Sequence, residues 1–338
     1  MACDFMQKNL VINKLPTAFC HASTVVQAPN GDLLCCWFGG EHEGTSDVAI
    51  WHSRRVQGRW SALVRFASGS EAHWNPVLFY AGEKLLLFYK QGQQISDWRT
   101  YVMTSDDDGV SWSVPREMVR GDVSGGRGPV RNKPSMLADG RIAAGGSIEK
   151  GLWTAFADIS DDNGKTWHKS VPIGIAGLTY AGEKTAESDI AVSSQSFYGR
   201  GVIQPSLWQS DDDAVHMLLR SSEGHIYRSD SSDAVNWCAA YPINLPNNNS
   251  GLDLVRASFD GCLYLVCNPV AGNWGQRSPL TLFKSADDGA SWMKVLDLET
   301  GEGEYSYPAI VEGRDGLIIT YTWQRQNIAC CELSKNEL

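Results

Sequence analysis

The stretch SDDDGVSW, residues 105–112, decides the fold because it returns twice along the chain. SDDNGKTW occupies residues 160–167 and SADDGASW residues 285–292, so the shared pattern is Ser-x-Asp-x-Gly-x-x-Trp. Two eroded copies complete the series. SRRVQGRW, residues 53–60, lacks the Asp; SSDAVNW, residues 231–237, is one residue short and lacks the Gly. Each copy follows a strand-like run: DVAIWHS, RTYVMTS, WTAFADIS, HIYRS or PLTLFKS. Asp, Asn and Gly supply the backbone freedom of a tight turn. The Ser and Asp side chains can cap amides of that turn while the Trp packs between sheets. The boxes are therefore read as structural, with no chemistry assigned to them.

The five Trp (Trp60, Trp112, Trp167, Trp237 and Trp292) are spaced by 52, 55, 70 and 55 residues. A period of about 50 residues marks a propeller or solenoid. A chain of 338 residues holds about six four-stranded units of that size. The expected fold is all-β, a six-bladed β-propeller, with residues 1–338 as one domain. The final segment, LIITYTWQRQNIACCEL, is expected to close the ring with the N-terminal segment. No long window has the 3.6-residue apolar period of a helix.

Hydrophobic residues make up 43% and charged residues 20%, enough apolar content for a buried core. The net charge of −10 is opposite to that of a typical binder of nucleic acid or anionic membrane. No apolar run is long enough to predict a membrane span. The N-terminus has no basic start followed by an apolar core, so no secretory signal is read and a cytoplasmic location is expected. The nine cysteines are Cys3, Cys20, Cys35, Cys36, Cys238, Cys262, Cys267, Cys330 and Cys331. An odd number without a CxxC pair suits neither a zinc site nor a disulfide framework. They are read as free, mostly buried thiols of a reducing compartment. No metal or cofactor pattern is visible.

In these boxes the chain resembles the sialidase (neuraminidase) superfamily, in its branch of BNR-repeat proteins, over nearly its whole length. The resemblance identifies the boxes as Asp boxes. It implies an exo-acting glycoside hydrolase that releases a terminal sialic acid or related acidic sugar. Lyases and non-catalytic propellers carry the box too. A polysaccharide lyase or a rhamnosidase-like hydrolase using His21 or His73 is one alternative, and a non-catalytic glycan-binding propeller is another. Sialidases grip the substrate carboxylate with three arginines and attack with a Tyr activated by a Glu, an acidic residue serving as acid/base. A neutral phenol meets less repulsion than a carboxylate would at an anomeric centre that already bears one.

Carried over residue by residue, the resemblance matches Arg220, in HMLLRSSEG, to the second arginine and Arg277, after VCNP, to the third. Tyr305, in GEGEYSYPAI, matches the nucleophile, with Tyr307 as a neighbouring substrate contact. On a regular strand the two tyrosines share one face. The acid/base is sought in GGEHEGTSD, where Glu43 is favoured and Glu41, Asp47 and His42 stay open. There are two departures. His21 stands where the first arginine is expected, and Gln204, before Pro205, stands where the activating Glu is expected. An amide cannot take a proton as a carboxylate does, so Glu149 or Glu304 must serve Tyr305, or water attacks directly. Further polar groups fit a pocket rim: His73 and Asn75 in HWNP, Arg131 and Lys133 in VRNKP, and Asn249 and Asp253 in NNNSGLD.

Overall fold

The computed structural model describes residues 6–180 and 198–338. Among them the chain forms 25 strands and two short 3-10 helices, Ile95–Asp97 and Lys335–Glu337. The fold is all-β, as the turn pattern predicted.

The first sheet runs through Phe19–Gln27, Leu33–Gly40 and Ala49–Val56, with the short strands Arg59–Trp60 and Val64–Ala67 on its far edge. The second takes His73–Ala81, Lys84–Gln91, Arg99–Ser105 and Arg116–Glu117 in order. The third has eight strands in two antiparallel halves, residues 135–169 and 200–246. The halves meet at a short parallel junction that pairs Leu152 with Arg200 and Trp153 with Gly201. The fourth holds Asp253–Arg256, Leu263–Cys267, Leu280–Ser285 and Met293–Glu299. The last holds Tyr305–Glu312, Gly316–Trp323 and Asn327–Ser334, and Met6–Leu10 returns from the other end of the chain as its edge strand. That pairing covers an edge that would otherwise offer free backbone donors and acceptors.

The core lies between sheets. Trp74, Leu78, Leu87 and Met103 of the second sheet pack with Phe38 and Ile50 of the first. Phe88 and Val102 meet Ile142 and Ala144 of the third. Ala143, Ala155 and Ala157 meet Val202, Leu207 and Met217 across the halves of the third sheet. Leu218 and Ile226 meet Leu254 and Leu265 of the fourth, and Tyr264 and Leu282 meet Ile310 and Ile319 of the last. Finally Cys20, Leu33 and Trp37 of the first sheet meet Ile318, Ile328 and Cys330 of the last. The five box Trp fall in five different clusters of this series.

The turns are built as the residue types dictate. Ser105 Oγ accepts from Gly109 N at 2.8 Å and donates to Asp107 at 2.7 Å, while Asp107 accepts from Ser111 N at 2.8 Å. Trp112 Nε1 returns to Gly109 O at 3.1 Å. The copy at Ser160 repeats the arrangement, with Trp167 Nε1 on Gly164 O at 3.1 Å. At the eroded copy Ala234 replaces the Gly, keeps left-handed backbone at φ 64°, and still receives Trp237 Nε1 at 2.8 Å.

The eight described cysteines are free; Cys238 is exposed, Cys262 half-buried and the other six buried. Cys3 lies outside the described residues. No helix among those residues is long and apolar enough to cross a membrane.

Candidate functional site

First strands of neighbouring sheets pack on one another: Phe19–Gln27 against His73–Ala81 and Tyr305–Glu312, and Asp253–Arg256 against Tyr305–Glu312 and Arg200–Gln209. Four of these first strands carry the same irregularity. The antiparallel register slips between His21 and Thr24, Trp74 and Val77, Ile203 and Ser206, and Ser306 and Ala309. At each slip one non-glycine residue is left-handed: Ala22 (φ 53°), Asn75 (φ 42°), Gln204 (φ 53°) and Tyr307 (φ 52°). Such backbone is costly for L residues and collects at functional sites. A bulge also re-aims the side chain it carries. Asn75, Gln204 and Tyr307 all line one pocket of about 220 Å³.

Three arginines reach this pocket. Arg220 comes from the strand Val215–Ser221, Arg277 from the loop before Leu280–Ser285, and Arg325 from the tight turn between the last two strands. Both central residues of that turn, Gln324 (φ 55°) and Arg325 (φ 53°), are left-handed. Arg220 donates to three neutral acceptors: Asn249 Oδ1 at 2.7 Å, Gln204 Oε1 at 3.2 Å and the Tyr307 hydroxyl at 2.6 Å. Arg277 and Arg325 instead converge on Glu304, at 2.6 Å and 3.0 Å, and Arg325 also pairs with Glu43 at 2.6 Å. Burial works against the Glu304 charge. The two guanidiniums and the hydrogen bonds from Arg325 and Ser306 outweigh it and bring the carboxyl down to about 2.

Tyr307 sits among cations. The guanidinium carbons of Arg131, Arg277 and Arg220 lie 5.2, 5.4 and 5.7 Å from its ring centroid, within cation–π range. The His21 ring packs 4.2 Å away. Burial, then Arg325, Arg277, Arg131 and Arg220, push the His21 imidazole well below its ordinary value, so it is neutral here. Glu149 lines the pocket and is buried. Burial raises its pKa, against the opposing hydrogen bonds of Ser147 and Gln204 and the charges of Arg220 and Lys90. Trp74, Trp98, Trp153 and Trp274 complete the walls.

The expected site residues separate into two groups. Arg220, Arg277, Tyr307, Gln204, Asn75, Glu43 and Glu149 line the pocket together. The others do not. Tyr305 is turned away: its ring lies in the core between the fourth and last sheets, and its hydroxyl meets Glu302 O and Gln324 Nε2. The Ser306–Ala309 bulge is the reason, because it breaks the alternation that would have given both tyrosines one face. Glu41 and Asp47 are exposed on the loop, where the Asp47 carboxylate receives Glu41 N at 2.8 Å. Arg131 is buried beneath the Tyr307 ring and His73 beneath Tyr89, with His73 Nδ1 at 2.9 Å from Glu71 O. Lys133 and Asp253 pair at 2.9 Å, and Asp253 also receives Ser206 Oγ at 2.7 Å and Ile310 N at 3.0 Å, so they lace first strands together. Asn249 holds Arg220 and, at 2.7 Å, Asn273. The sequence reading missed Arg325, a lone Arg in a short turn between apolar strands. It also weighed Tyr307 behind Tyr305, although Asn75-Pro76, Gln204-Pro205 and Tyr307-Pro308 share one signature.

This pocket, with aromatic walls and a few convergent polar groups, has the usual form of a small-molecule site. It stands on an all-β scaffold whose sequence matches the BNR repeat-like domain family over residues 31–319. The chain belongs to that family.

Solved structures share the fold. A protein of unknown function from Dyadobacter fermentans superposes with a TM-score of 0.71 at 15% identity, covering 98% of this chain and 100% of its own. The Trypanosoma rangeli sialidase in complex with sialic acid gives 0.70 at 12% identity, covering 98% of this chain and 59% of its own. The NanB sialidase from Streptococcus pneumoniae, in complex with a chlorobenzylammonio-ethanesulfonate, gives 0.72 at 12% identity, covering 98% of this chain and 71% of its own. The chain thus spans 59% of the length of the trypanosomal sialidase. At these identities the likeness is one of fold.

Proposed function

We propose that the protein is an exo-acting glycoside hydrolase of sialidase type that releases a terminal sialic acid or a related acidic sugar. In this reading residues 1–338 are one domain. Its six blades are the four smaller sheets and the two halves of the eight-stranded one. The apolar clusters that join each unit to the next, and the first sheet to the last, support a closed ring. The buried free cysteines support a reducing, cytoplasmic setting.

The observation that carries the reading is the 2.6 Å hydrogen bond from Arg220 to the Tyr307 hydroxyl, within a pocket that Arg277 and Arg325 also line. Tyr307, not Tyr305, is then the nucleophile. As the Tyr307 oxygen bonds to the anomeric carbon and the bond to the leaving oxygen breaks, the phenol proton passes to the Glu43 carboxylate, directly or through a water. The Arg220 guanidinium stabilises the phenolate character of the attacking oxygen, and water later hydrolyses the glycosyl-tyrosine bond. Gln204 joins Arg220 to Glu149: its Oε1 accepts from Arg220 at 3.2 Å and its amide contacts the carboxyl. Glu149, whose pKa burial raises, is the proposed donor of a proton to the leaving oxygen. Glu43, held by Arg325 at 2.6 Å, is the second carboxylate.

The test is a panel of aryl glycosides of sialic acids, uronic acids and rhamnose, with NMR of the first-formed anomer. Tyr307→Phe keeps the ring and removes the oxygen. Turnover should fall by roughly 10³-fold or more, with ligand affinity kept within a few-fold, while Tyr305→Phe stays active. Near-full turnover in Tyr307→Phe would remove the tyrosine mechanism. One observation favours a second reading: Gln204 stands where a carboxylate base is expected. A glycan-binding propeller without cleavage accounts for that amide. It predicts sugar binding with no release of aglycone from any member of the panel.

A further inference from the structure

We propose that Glu304 is a specificity-determining residue that fills the arginine site from within, so that a substrate's single anionic group is held at Arg220. The proposal rests on the acidic-sugar reading above and narrows its substrate class. The pocket carries three arginines, yet they are not equivalent. Arg277 and Arg325 share the Glu304 carboxylate at 2.6 and 3.0 Å, and Arg325 holds Glu43 at 2.6 Å. Two cations and two anions thus form a chain of balanced charge along one wall. Glu304 does not hang freely in it, because Ser306 Oγ donates to it at 2.8 Å and its own backbone N–H meets Gln324 Oε1 at 3.2 Å. With its carboxyl brought down to about 2, it stays ionised at any working pH.

Arg220 differs. Its hydrogen-bond partners, Asn249, Gln204 and Tyr307, are all neutral. Among the described residues no carboxylate lies within ion-pair distance of it. Arg131 adds positive charge from beneath the Tyr307 ring but is itself buried. A ligand carboxylate entering near Arg277 or Arg325 meets Glu304 and Glu43, whose repulsion cancels much of the attraction. One entering at Arg220 meets a guanidinium whose hydrogen bonds all go to neutral groups, with Glu149 joined to it only through Gln204, beside the proposed nucleophile. The site therefore suits a sugar with one carboxylate next to its reacting carbon and uncharged hydroxyl or amide groups elsewhere. Those neutral groups find donors and acceptors along the Glu43–Arg325–Glu304–Arg277 wall. A second anionic substituent is disfavoured.

The experiment measures binding by calorimetry to the full chain and to Glu304→Gln. The probes are pyruvate, as a small 2-oxo acid, N-acetylneuraminic acid and the neutral sugar N-acetylglucosamine. Glu304→Gln keeps the shape and removes the charge. It should bind pyruvate and N-acetylneuraminic acid about tenfold more tightly and leave the neutral sugar unchanged. Glu43→Gln should shift the acids in the same direction by less, and it decides the matter alone should Glu304→Gln fail to fold. Acid affinity that is unchanged or weaker in the folded variants overturns the proposal. So does an absence of pyruvate binding to every protein. The functional reading fails separately, by absence of binding and cleavage of every acidic sugar while pyruvate still distinguishes Glu304→Gln from the parent.

Discussion

At the scale of single residues, position in the backbone decides chemistry more than residue type does. Tyr305 and Tyr307 are two residues apart, and one is core while the other lines the pocket. Charge state is decided in the same local way. Glu149 and Glu304 are both pocket carboxylates, yet burial raises the first and two arginines lower the second to about 2. Opposite pH signatures follow. The folded value of Glu304 lies below its ordinary 4.5, so the unfolded chain binds the extra proton first. Its contribution to stability is present above about 4.5 and is lost as pH falls towards about 2. Urea unfolding across that window should show a shallower slope in Glu304→Gln than in the parent. Glu149 has a raised value, and it must be protonated to act as the proposed acid. Activity should therefore decline as pH rises through that value, and Glu149→Gln should lose the descending limb along with roughly 10²–10⁴-fold in rate. An identical pH profile in that variant would take Glu149 out of the chemistry.

At the scale of elements, the box turns show how far a local pattern dictates local structure. Gly58 (φ 77°) and Gly109 (φ 82°) adopt nearly the same backbone. A Cβ on Gly58 would meet nothing within 4 Å, whereas one on Gly109 would come within 2.7 Å of Leu34 and 3.3 Å of Leu85 and Trp112. Gly58→Ala should cost about 1–2 kcal/mol of backbone strain. Gly109→Ala should cost roughly 1–3 kcal/mol more, because Leu34 is buried and cannot step aside. Equal losses in chemical unfolding would mean that the turn at Gly109 does not lock the first sheet to the second. The bulged first strands were half legible. The recurrence of Asn-Pro, Gln-Pro and Tyr-Pro announces an irregularity before a proline. Nothing in the residue types says that the irregularity flips the face, since strand alternation is the default until an extra residue interrupts the ladder.

At the scale of the molecule, the ends of the chain meet. Met6–Leu10 pairs with Asn327–Ser334, and the bidentate pair between Arg55 and Glu332, at 2.5 and 2.6 Å, ties the first sheet to the last. Ile328 is fully buried in the apolar cluster that joins the same two sheets. Ile328→Ala should cost about 2–5 kcal/mol. In a closed ring that loss lowers the midpoint of one cooperative transition. Two separate transitions, with only one displaced, would divide the chain into independent domains.

The sequence by itself determined the strands, the turns and their period. These depend on contacts within a dozen residues: hydroxyl and carboxylate caps, left-handed glycines, and alternating apolar faces. The resemblance carried by the boxes also marked Arg220, Arg277, Glu43 and Gln204 for one site, with Glu149 as a carboxylate that could replace the missing Glu, and all five line the pocket. Only the tertiary structure decided which tyrosine meets Arg220, since one bulge reverses a face. Only it brought Arg325 from the last hairpin beside Glu43 of the first sheet, 282 positions away along the chain. Separation of that size leaves no trace in local spacing; the packing of the first sheet against the last creates the contact.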